Sequence, residues 1–176
     1  MQRIKKFVAI GPESTGKSTL TKQLAHHYNA GWCPEYARIF FENRSPKYEY
    51  HDLKKIAKGQ LALEDEITSA QNISGKLFID TDLQVIKVWS EFVFDQCDLY
   101  ILDEIALRKY DGYFLCYPDL PWEADPLREY PDQQKRDELF CYYKDLLVTQ
   151  STPWCTVSGD NEQRMKYAIS FVEKHR

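Results

Sequence analysis

The chain has 176 residues and a mass of 20.8 kDa, the usual size of one domain, and 43% of its residues are hydrophobic while 28% are charged. These values are typical of a folded globular protein and exclude a disordered or collagen-like chain. The 23 Lys and Arg against 27 Asp and Glu give a net charge of −4, without a long basic run, which excludes a dedicated nucleic-acid binder. Any anionic ligand must therefore be held locally.

The five cysteines are scattered along the chain and show no C-x-x-C spacing, which argues against a disulfide framework and against a zinc site. We interpret them as small buried hydrophobes in a reducing compartment. The N-terminal apolar run, Phe7 to Ile10, is too short for a signal sequence, and no stretch reaches the roughly 20 apolar residues of a membrane span. We therefore expect a cytoplasmic protein without membrane contact.

The first third of the chain predicts two strands and two helices. Phe7 to Ile10 is a continuous apolar run that stops at Gly11, which is typical of a strand buried on both faces. A helix with apolar residues at helical spacing follows from Ser18 to Tyr28. Trp32-Cys33 predicts a weak second strand, and Pro34 to Arg38 leads into a further helical turn.

The middle of the chain shows the clearest helical periodicity. From His51 to about Asn72, apolar residues recur every three or four positions, which predicts a long amphipathic helix. Lys76 to Ile79 predicts the third strand, with Asp80 at its carboxyl end. Leu83 to Cys97 is apolar on most of its circumference and predicts a largely buried helix, and Asp98 to Lys109 predicts another short one.

The last third predicts two strands, two helices and a long loop. Tyr113 to Tyr117 and Trp154 to Val157 are the fourth and fifth strands, and Pro118 to Pro131 between them is a Pro-rich segment that we expect to be a mobile lid. One helix carries Leu139 and Leu147, and a closing helix carries Val172.

Strands that alternate with helices imply an α/β fold, with a five-stranded parallel sheet and helices on both faces. We expect residues 1–176 to form a single domain with a lid at about 118–131.

Gly11 to Ser18 reads GPESTGKS and satisfies the phosphate-binding-loop (P-loop) pattern G-x-x-x-x-G-K-[ST] between a predicted strand and a predicted helix. The N–H groups of such a loop bind a phosphate chain, its lysine reaches the β- and γ-phosphates, and its serine ligates Mg²⁺. We therefore expect a P-loop NTPase fold that binds MgATP. The residues expected to contact the nucleotide are Gly11, Glu13, Ser14, Thr15, Gly16, Lys17, Ser18 and Thr19.

Two carboxylates follow the third strand, where open α/β sheets bind their ligands. Asp80 is placed like the aspartate that supports Mg²⁺ in P-loop proteins. For Asp82 two compatible interpretations stay open, a substrate contact and the N-cap of the helix that begins near Leu83.

Two further pairs of residues have a functional and a structural interpretation. Glu35 and Arg38 share one face of a helical turn, where they could serve the acceptor hydroxyl and the transferring phosphoryl group, or form a solvated ion pair. In the lid, Trp122 could cover a ring and Arg128 could neutralise phosphate charge on closure. The alternative there is a packed Trp beside a surface Arg.

Four motifs together resemble the P-loop ribosylnicotinamide (nicotinamide riboside) kinase domain of NadR-type proteins: GPESTGKSTL at 11–20, PEYAR at 34–38, FIDTD at 78–82 and PWEADPLR at 121–128. The resemblance covers nearly the whole chain. It implies ATP-dependent phosphorylation of the 5′-hydroxyl of nicotinamide riboside, giving nicotinamide mononucleotide, on a fold like that of nucleoside monophosphate kinases. ATP and Mg²⁺ would be required, the partner would be a small-molecule substrate, and no nucleic acid or obligate protein partner is expected.

The motifs and the resemblance together assign a role to individual residues. Catalytic roles are expected for Lys17, Glu35, Asp80 and Arg128, with either Glu35 or Asp80 taking the acceptor proton. Metal contacts are expected from Ser18 and Asp80. Substrate contacts are expected from Glu35, Tyr36, Arg38, Asp82, Trp122 and Asp125.

The sequence departs from the family pattern at Pro126, where the family usually has Gly, and this change predicts a stiffer lid. The chain begins six residues before the first strand and has no H-x-G-H motif, so we expect no adenylyltransferase activity. By analogy with similar folds, Ser158 to Asn161 would contact the nucleotide base. The rival interpretations are a kinase for another nucleoside or vitamin, and a regulatory P-loop ATPase.

Overall fold

The computed structural model describes residues 3–42, 44, 47–70 and 75–175, and strands and helices alternate along them. The strands are β1 (Lys5–Ile10), β2 (Gly31–Cys33), β3 (Lys76–Asp80), β4 (Gly112–Cys116) and β5 (Trp154–Val157). The helices are α1 (Lys17–His27), α2 (Tyr36–Phe41), α3 (Tyr50–Ser69), α4 (Leu83–Phe94), α5 (Leu99–Leu107), α6 (Gln133–Val148) and α7 (Asn161–Lys174).

The strands form one sheet in the order β2-β3-β1-β4-β5, and every neighbouring pair is parallel. This confirms the predicted α/β fold. The central strand β1 is fully buried from Phe7 to Ile10, as expected for a strand covered on both faces. Its register pairs Ala9 with Asp80. The end of β3 therefore lies beside the point where β1 runs into Gly11.

Alternate residues of β1 pack against different helical layers, because successive side chains of a strand point to opposite faces. Phe7 lies in one core with residues of α1 and α7, and its ring centroid is 5.8 Å from that of Phe78. Val8 and Ile10 lie in a second core with residues of α4 and α6. Helices therefore cover both faces, as predicted. Within the described part of the chain, no helix is long and apolar enough to cross a membrane.

Three helices are shorter than the sequence predicts. The helix expected from Asp98 to Lys109 is α5 and spans Leu99–Leu107, with Asp98 as its N-cap. The helix expected from Leu83 to Cys97 ends at Phe94, because Asp95 adopts the left-handed conformation with φ 54°. The helix expected from His51 to about Asn72 is α3 and ends at Ser69, while Asn72 lies outside the described residues.

The cysteines differ in burial. Cys33 and Cys116 are buried, Cys97 and Cys155 are half-buried, and Cys141 is exposed on α6. The interpretation of all five as buried hydrophobes is therefore wrong for Cys141.

Candidate active site

The P-loop connects β1 to α1 through two glycines with positive φ. Gly11 has φ 139°, and a Cβ there would lie 2.7 Å from the carbonyl oxygen of Cys116, so only glycine fits without a shift. Gly16 has φ 75° and stands at the N-cap of α1. The Lys17 ammonium donates to the carbonyl oxygens of Gly11 (3.0 Å) and Pro12 (2.6 Å), which keeps it over the loop.

A cavity of about 330 Å³ opens beside this loop, within the size range of small-molecule sites. It runs from the P-loop, past the start of α2 and under the segment between β4 and α6, to apolar residues of α4 and α6. The eight P-loop residues expected to contact the nucleotide all line it: Gly11, Glu13, Ser14, Thr15, Gly16, Lys17, Ser18 and Thr19. The residues expected at the nucleotide base, Ser158 to Asn161, do not line it, and that contact stays a prediction.

Two buried arginines, which the sequence analysis missed, support the outer side of the P-loop. Arg136 of α6 donates to the Ser14 carbonyl oxygen (3.1 Å), and Arg164 of α7 donates to that of Thr15 (2.9 Å). The C=O and N–H of a planar trans peptide point in opposite directions. The N–H groups that follow these carbonyls therefore point away from the arginines, as an anion-binding loop requires.

Asp80 lies next to the loop and is only 2% exposed. It accepts a hydrogen bond from the Ser18 hydroxyl, and burial raises its pKa. Its Oδ1 has no protein partner. A buried carboxylate oxygen without a partner, beside a P-loop serine hydroxyl, fits Mg²⁺, which usually takes one or two protein oxygens together with phosphates and water. Across the described ranges, no three or more His, Cys, Asp or Glu side chains converge to hold a metal ion.

Glu35 precedes α2 and lines the cavity, whereas Asp80 does not. Burial and then the nearby Asp80 carboxylate raise the pKa of Glu35, while Lys17 and Arg38 oppose that rise. Arg38 pairs with Glu35 at 3.4 Å and with Asp125 at 2.9 Å. The predicted Glu35–Arg38 pair therefore exists, and it stands at the cavity wall.

The segment of residues 117–132 between β4 and α6, here called the lid segment, contains neither helix nor strand and includes the predicted lid. Two P-loop side chains bind it. Glu13 accepts from the backbone N–H groups of Glu129 (2.8 Å) and Tyr130 (3.0 Å). The Ser14 hydroxyl accepts from the Arg128 guanidinium (3.3 Å), which places Arg128 over the P-loop and in the cavity wall.

The far end of the cavity is aromatic and apolar. The Trp89 indole donates to the Tyr48 hydroxyl (2.6 Å), which in turn donates to the Glu129 carboxylate (2.9 Å). The rings of Trp89 and Tyr48 meet edge to face, with their centroids 4.7 Å apart. Other apolar residues line this end: Phe41, Val85, Val88, Phe92, Leu139 and Tyr143. Apolar residues of α4 therefore line the cavity as well as packing in the core.

Asp82 does not line this cavity. It is 1% exposed, caps α4 by accepting from the Gln84 N–H (3.0 Å), and accepts from the Tyr113 hydroxyl (2.9 Å). Burial raises its pKa to about 7. Of the two compatible interpretations offered for Asp82, the structure shows the helix cap. The side chain does not line the cavity, and the substrate contact stays a prediction.

Three other expected substrate contacts are also placed outside the cavity wall. Trp122 lies 5.8 Å from the Arg136 guanidinium, so it packs on the outer side of the P-loop. The ring of Tyr36 lies against Gly59 of α3. Asp125 reaches the site only through Arg38.

Among curated proteins, the chain is 28% identical over 149 residues to the trifunctional NAD biosynthesis/regulator protein NadR of Escherichia coli K12, covering 82% of this chain. The match spans about a third of that relative, 35% of its length. The resemblance to NadR proteins that the motifs predict is therefore confirmed.

Solved structures show the same fold at lower identity. A NadR protein in complex with NR has a TM-score of 0.79 at 21% identity, covering 98% of this chain and 51% of that one. A NadR protein in complex with NAD and AMP-PNP has a TM-score of 0.75 at 21% identity, with coverages of 98% and 49%. Deoxyadenosine kinase from M. mycoides with bound dATP has a TM-score of 0.60 at 12% identity, with coverages of 96% and 99%.

These likenesses establish a P-loop kinase fold. The AAA domain family AAA_28 matches residues 6–164, which include the P-loop and, apart from Lys5, all five strands. The chain belongs to this family of P-loop AAA domains.

Proposed function

We propose that this protein is a small-molecule kinase that transfers the γ-phosphoryl group of ATP to the 5′-hydroxyl of nicotinamide riboside. The observation that carries the proposal is the shape of the cavity. One end is a phosphate-binding loop and the other is an aromatic pocket, and Glu35, Arg38 and Arg128 line the wall with Lys17. A cavity of this kind suits two substrates that meet at a phosphoryl group.

The chain's own residues account for the transfer. Glu35 accepts the proton of the attacking hydroxyl while the new O–P bond forms and the bond between the γ-phosphorus and the ADP oxygen breaks. Because its pKa is raised, the Glu35 carboxylate is a stronger base than an exposed glutamate. Lys17 and the loop N–H groups hold the phosphates, and Arg38 and Arg128 neutralise the charge that develops on the transferring group.

Ser18 and Asp80 are the residues that would hold Mg²⁺, which supplies further charge neutralisation on the phosphates. Phosphoryl transfer of this kind depends on positioning, so the contacts that hold the lid segment over the P-loop belong to the proposal. Because the lid segment covers the cavity, it would keep water from competing with the acceptor hydroxyl.

The pocket at the other end favours an aromatic cation. The faces of Trp89 and Tyr48 attract a positively charged ring, and the carboxylate of Glu129 lies on the same wall. Nicotinamide riboside carries a pyridinium ring, whereas uridine and cytidine carry neutral rings. The sequence suggests Trp122 as the residue that covers the acceptor ring, but Trp122 does not line the cavity. The geometry favours Trp89 for that role.

The NadR relatives support the acceptor, since one NadR structure holds NR and another holds AMP-PNP. The proposal concerns the kinase activity alone, because the chain spans about a third of the E. coli relative.

The test is an acceptor panel that measures ADP release and identifies the product by mass spectrometry. Nicotinamide riboside should react with a kcat/KM well above that of uridine, cytidine, deoxyadenosine and thiamine. ADP release that needs no acceptor would favour a regulatory ATPase, and turnover of another acceptor without nicotinamide riboside would refute the acceptor.

A second measurement tests the pocket. The reduced, uncharged dihydronicotinamide riboside has the same ribose and nearly the same ring size as the cation. Trp89→Leu should raise the KM of the cation about two- to thirtyfold more than that of the neutral analogue, the range of a cation–π interaction. Trp122→Leu is the matched control and should leave the ratio of the two KM values unchanged. Equal losses for both acceptors in Trp89→Leu would remove the cation–π argument.

A further inference from the structure

Arg164, in the first turn of α7, joins this helix to three other segments through one buried guanidinium. Its Nη1 donates to the Thr15 carbonyl oxygen in the P-loop (2.9 Å), and its Nε donates to the Gly159 carbonyl oxygen after β5 (2.8 Å). Its Nη2 donates to the Tyr117 carbonyl oxygen at the start of the lid segment (2.9 Å) and pairs with the Asp119 carboxylate. The side chain is only 4% exposed.

The Asp119 carboxylate completes the arrangement from the other side. Its Oδ2 accepts from the Gly159 N–H (2.6 Å). Both peptide groups of Gly159 are therefore held, its N–H by Asp119 and its C=O by Arg164. Gly159 has φ 85°, a conformation that other residues rarely adopt, so the turn after β5 is fixed in one shape.

The packing of α7 does not need this arginine. The helix is anchored on the sheet by Ala168, Phe171 and Val172. A buried cation in the first turn of a helix is disfavoured by the helix dipole and by desolvation. In return, Arg164 makes hydrogen bonds that hold together the P-loop, the start of the lid segment and the turn after β5.

We propose that Arg164 and Asp119 are positioning residues that couple the phosphate-binding loop to the turn after β5, and so set the affinity for the nucleotide and the choice of its base. The inference rests on the proposed function, in which ATP is the phosphoryl donor. One guanidinium fixes the separation between the loop that holds the phosphates and the turn at 158–161. If the turn at 158–161 contacts the base, as the analogy with similar folds implies, a nucleotide must match that separation with its base and its phosphates at once.

The experiment compares Arg164→Met, Arg164→Lys and Asp119→Asn with wild type. The control is Arg3→Met, which removes another arginine–aspartate pair, that with Asp111, at an exposed site. Binding of ATP, GTP and inorganic tripolyphosphate is measured calorimetrically without any acceptor, and KM values for ATP and for the acceptor are measured separately. Thermal unfolding records the folded fraction of each variant.

Arg164→Met should weaken ATP binding about tenfold or more, the loss expected for hydrogen bonds from a charged donor. Tripolyphosphate should lose less affinity, because it has no base that could contact the turn after β5. The preference for ATP over GTP should narrow, the acceptor KM should stay within about twofold, and Arg164→Lys should restore part of the affinity. Asp119→Asn, which keeps the arginine and the size of the side chain, should narrow the preference in the same direction.

Three results would overturn the inference. ATP affinity in Arg164→Met equal to that of Arg3→Met would leave the arginine without a nucleotide role. Equal losses for ATP and tripolyphosphate would limit the arginine to the P-loop, and a loss that only follows the folded fraction would make it structural. A wild-type protein that binds ATP but does not phosphorylate nicotinamide riboside would contradict the proposed acceptor and leave these comparisons valid.

Discussion

Replacing Gly59 with alanine should have two opposing effects on the free energy of unfolding, one from helix propensity and one from packing. Gly59 lies inside α3, where alanine favours a helix by about 1 kcal/mol over glycine. A Cβ at this position, however, would overlap the ring of Tyr36. Overpacking of this kind costs about 1 to 3 kcal/mol. The overlap should therefore win, and Gly59→Ala should lower the free energy of unfolding by up to about 2 kcal/mol.

The backbone of α2 cannot retreat freely from α3. Gln60 accepts from the Tyr36 N–H (2.7 Å) and donates to the Pro34 carbonyl oxygen (3.2 Å), so it holds both neighbours of Glu35. A displaced Tyr36 would disturb Glu35, and kcat should fall together with stability.

The assay is urea unfolding followed by circular dichroism for wild type, Gly59→Ala, Tyr36→Ala and the double variant. In the Tyr36→Ala background the overlap is gone, so Gly59→Ala should stabilise by about 1 kcal/mol, which reverses its sign. If Gly59→Ala stabilised both backgrounds equally, the ring of Tyr36 would not be packed on Gly59 and this reasoning would fail.

The remaining predictions concern the phosphate end of the cavity. Lys17→Ala should lower turnover more than tenfold, an increase in barrier of at least about 1.4 kcal/mol, while the circular dichroism spectrum stays unchanged. Glu35→Gln should lower kcat by about 10² to 10⁴ with little change in the KM for ATP, as expected for loss of a general base. Asp80→Asn should instead raise the Mg²⁺ concentration needed for half-maximal rate. An unchanged kcat in Glu35→Gln, measured by ADP release, would move the base to Asp80.

The strands and the P-loop could be predicted because their signals are local. The apolar run from Phe7 to Ile10 indicates a buried strand, and the glycines at 11 and 16 indicate the backbone conformation of the loop. Each signal lies within a few residues of the element that it predicts. The position of Asp80 beside the loop follows from parallel pairing of β3 with β1, which the alternation of strands and helices already implies.

The aromatic end of the cavity, where we propose that the acceptor binds, could not be predicted in the same way. Trp89 sits in a helix that is apolar all round, and periodicity does not distinguish a residue that packs in the core from one that lines a cavity. Trp122 sits in a loop without periodicity, and its place is decided by Arg136, a contact between distant parts of the chain. Sequence patterns therefore point to Trp122, whereas the cavity wall contains Trp89.

The buried arginines left a signal in the sequence that was not used. Arg136 lies three residues before Leu139 and seven before Tyr143, and Arg164 lies four before Ala168, so both occupy the apolar stripe of their helices. A charge on a buried stripe needs a partner in the interior. Here the partners are main-chain carbonyl oxygens of the P-loop, which helical periodicity cannot identify.

Pro126, where the family pattern has glycine, fits the local geometry of the lid segment. The Arg128 N–H donates to the Asp125 carbonyl oxygen (3.0 Å), which closes a four-residue turn with Pro126 in its second position. Proline favours that position because its fixed φ matches the turn. The Asp125 carboxylate also accepts from the Leu127 N–H (3.0 Å), as aspartate does at the first position of a turn. The turn directs its first residue, Asp125, toward Arg38 of α2 and its last residue, Arg128, toward Ser14 of the P-loop. A stiffer turn therefore keeps these two charged residues in place against α2 and the P-loop.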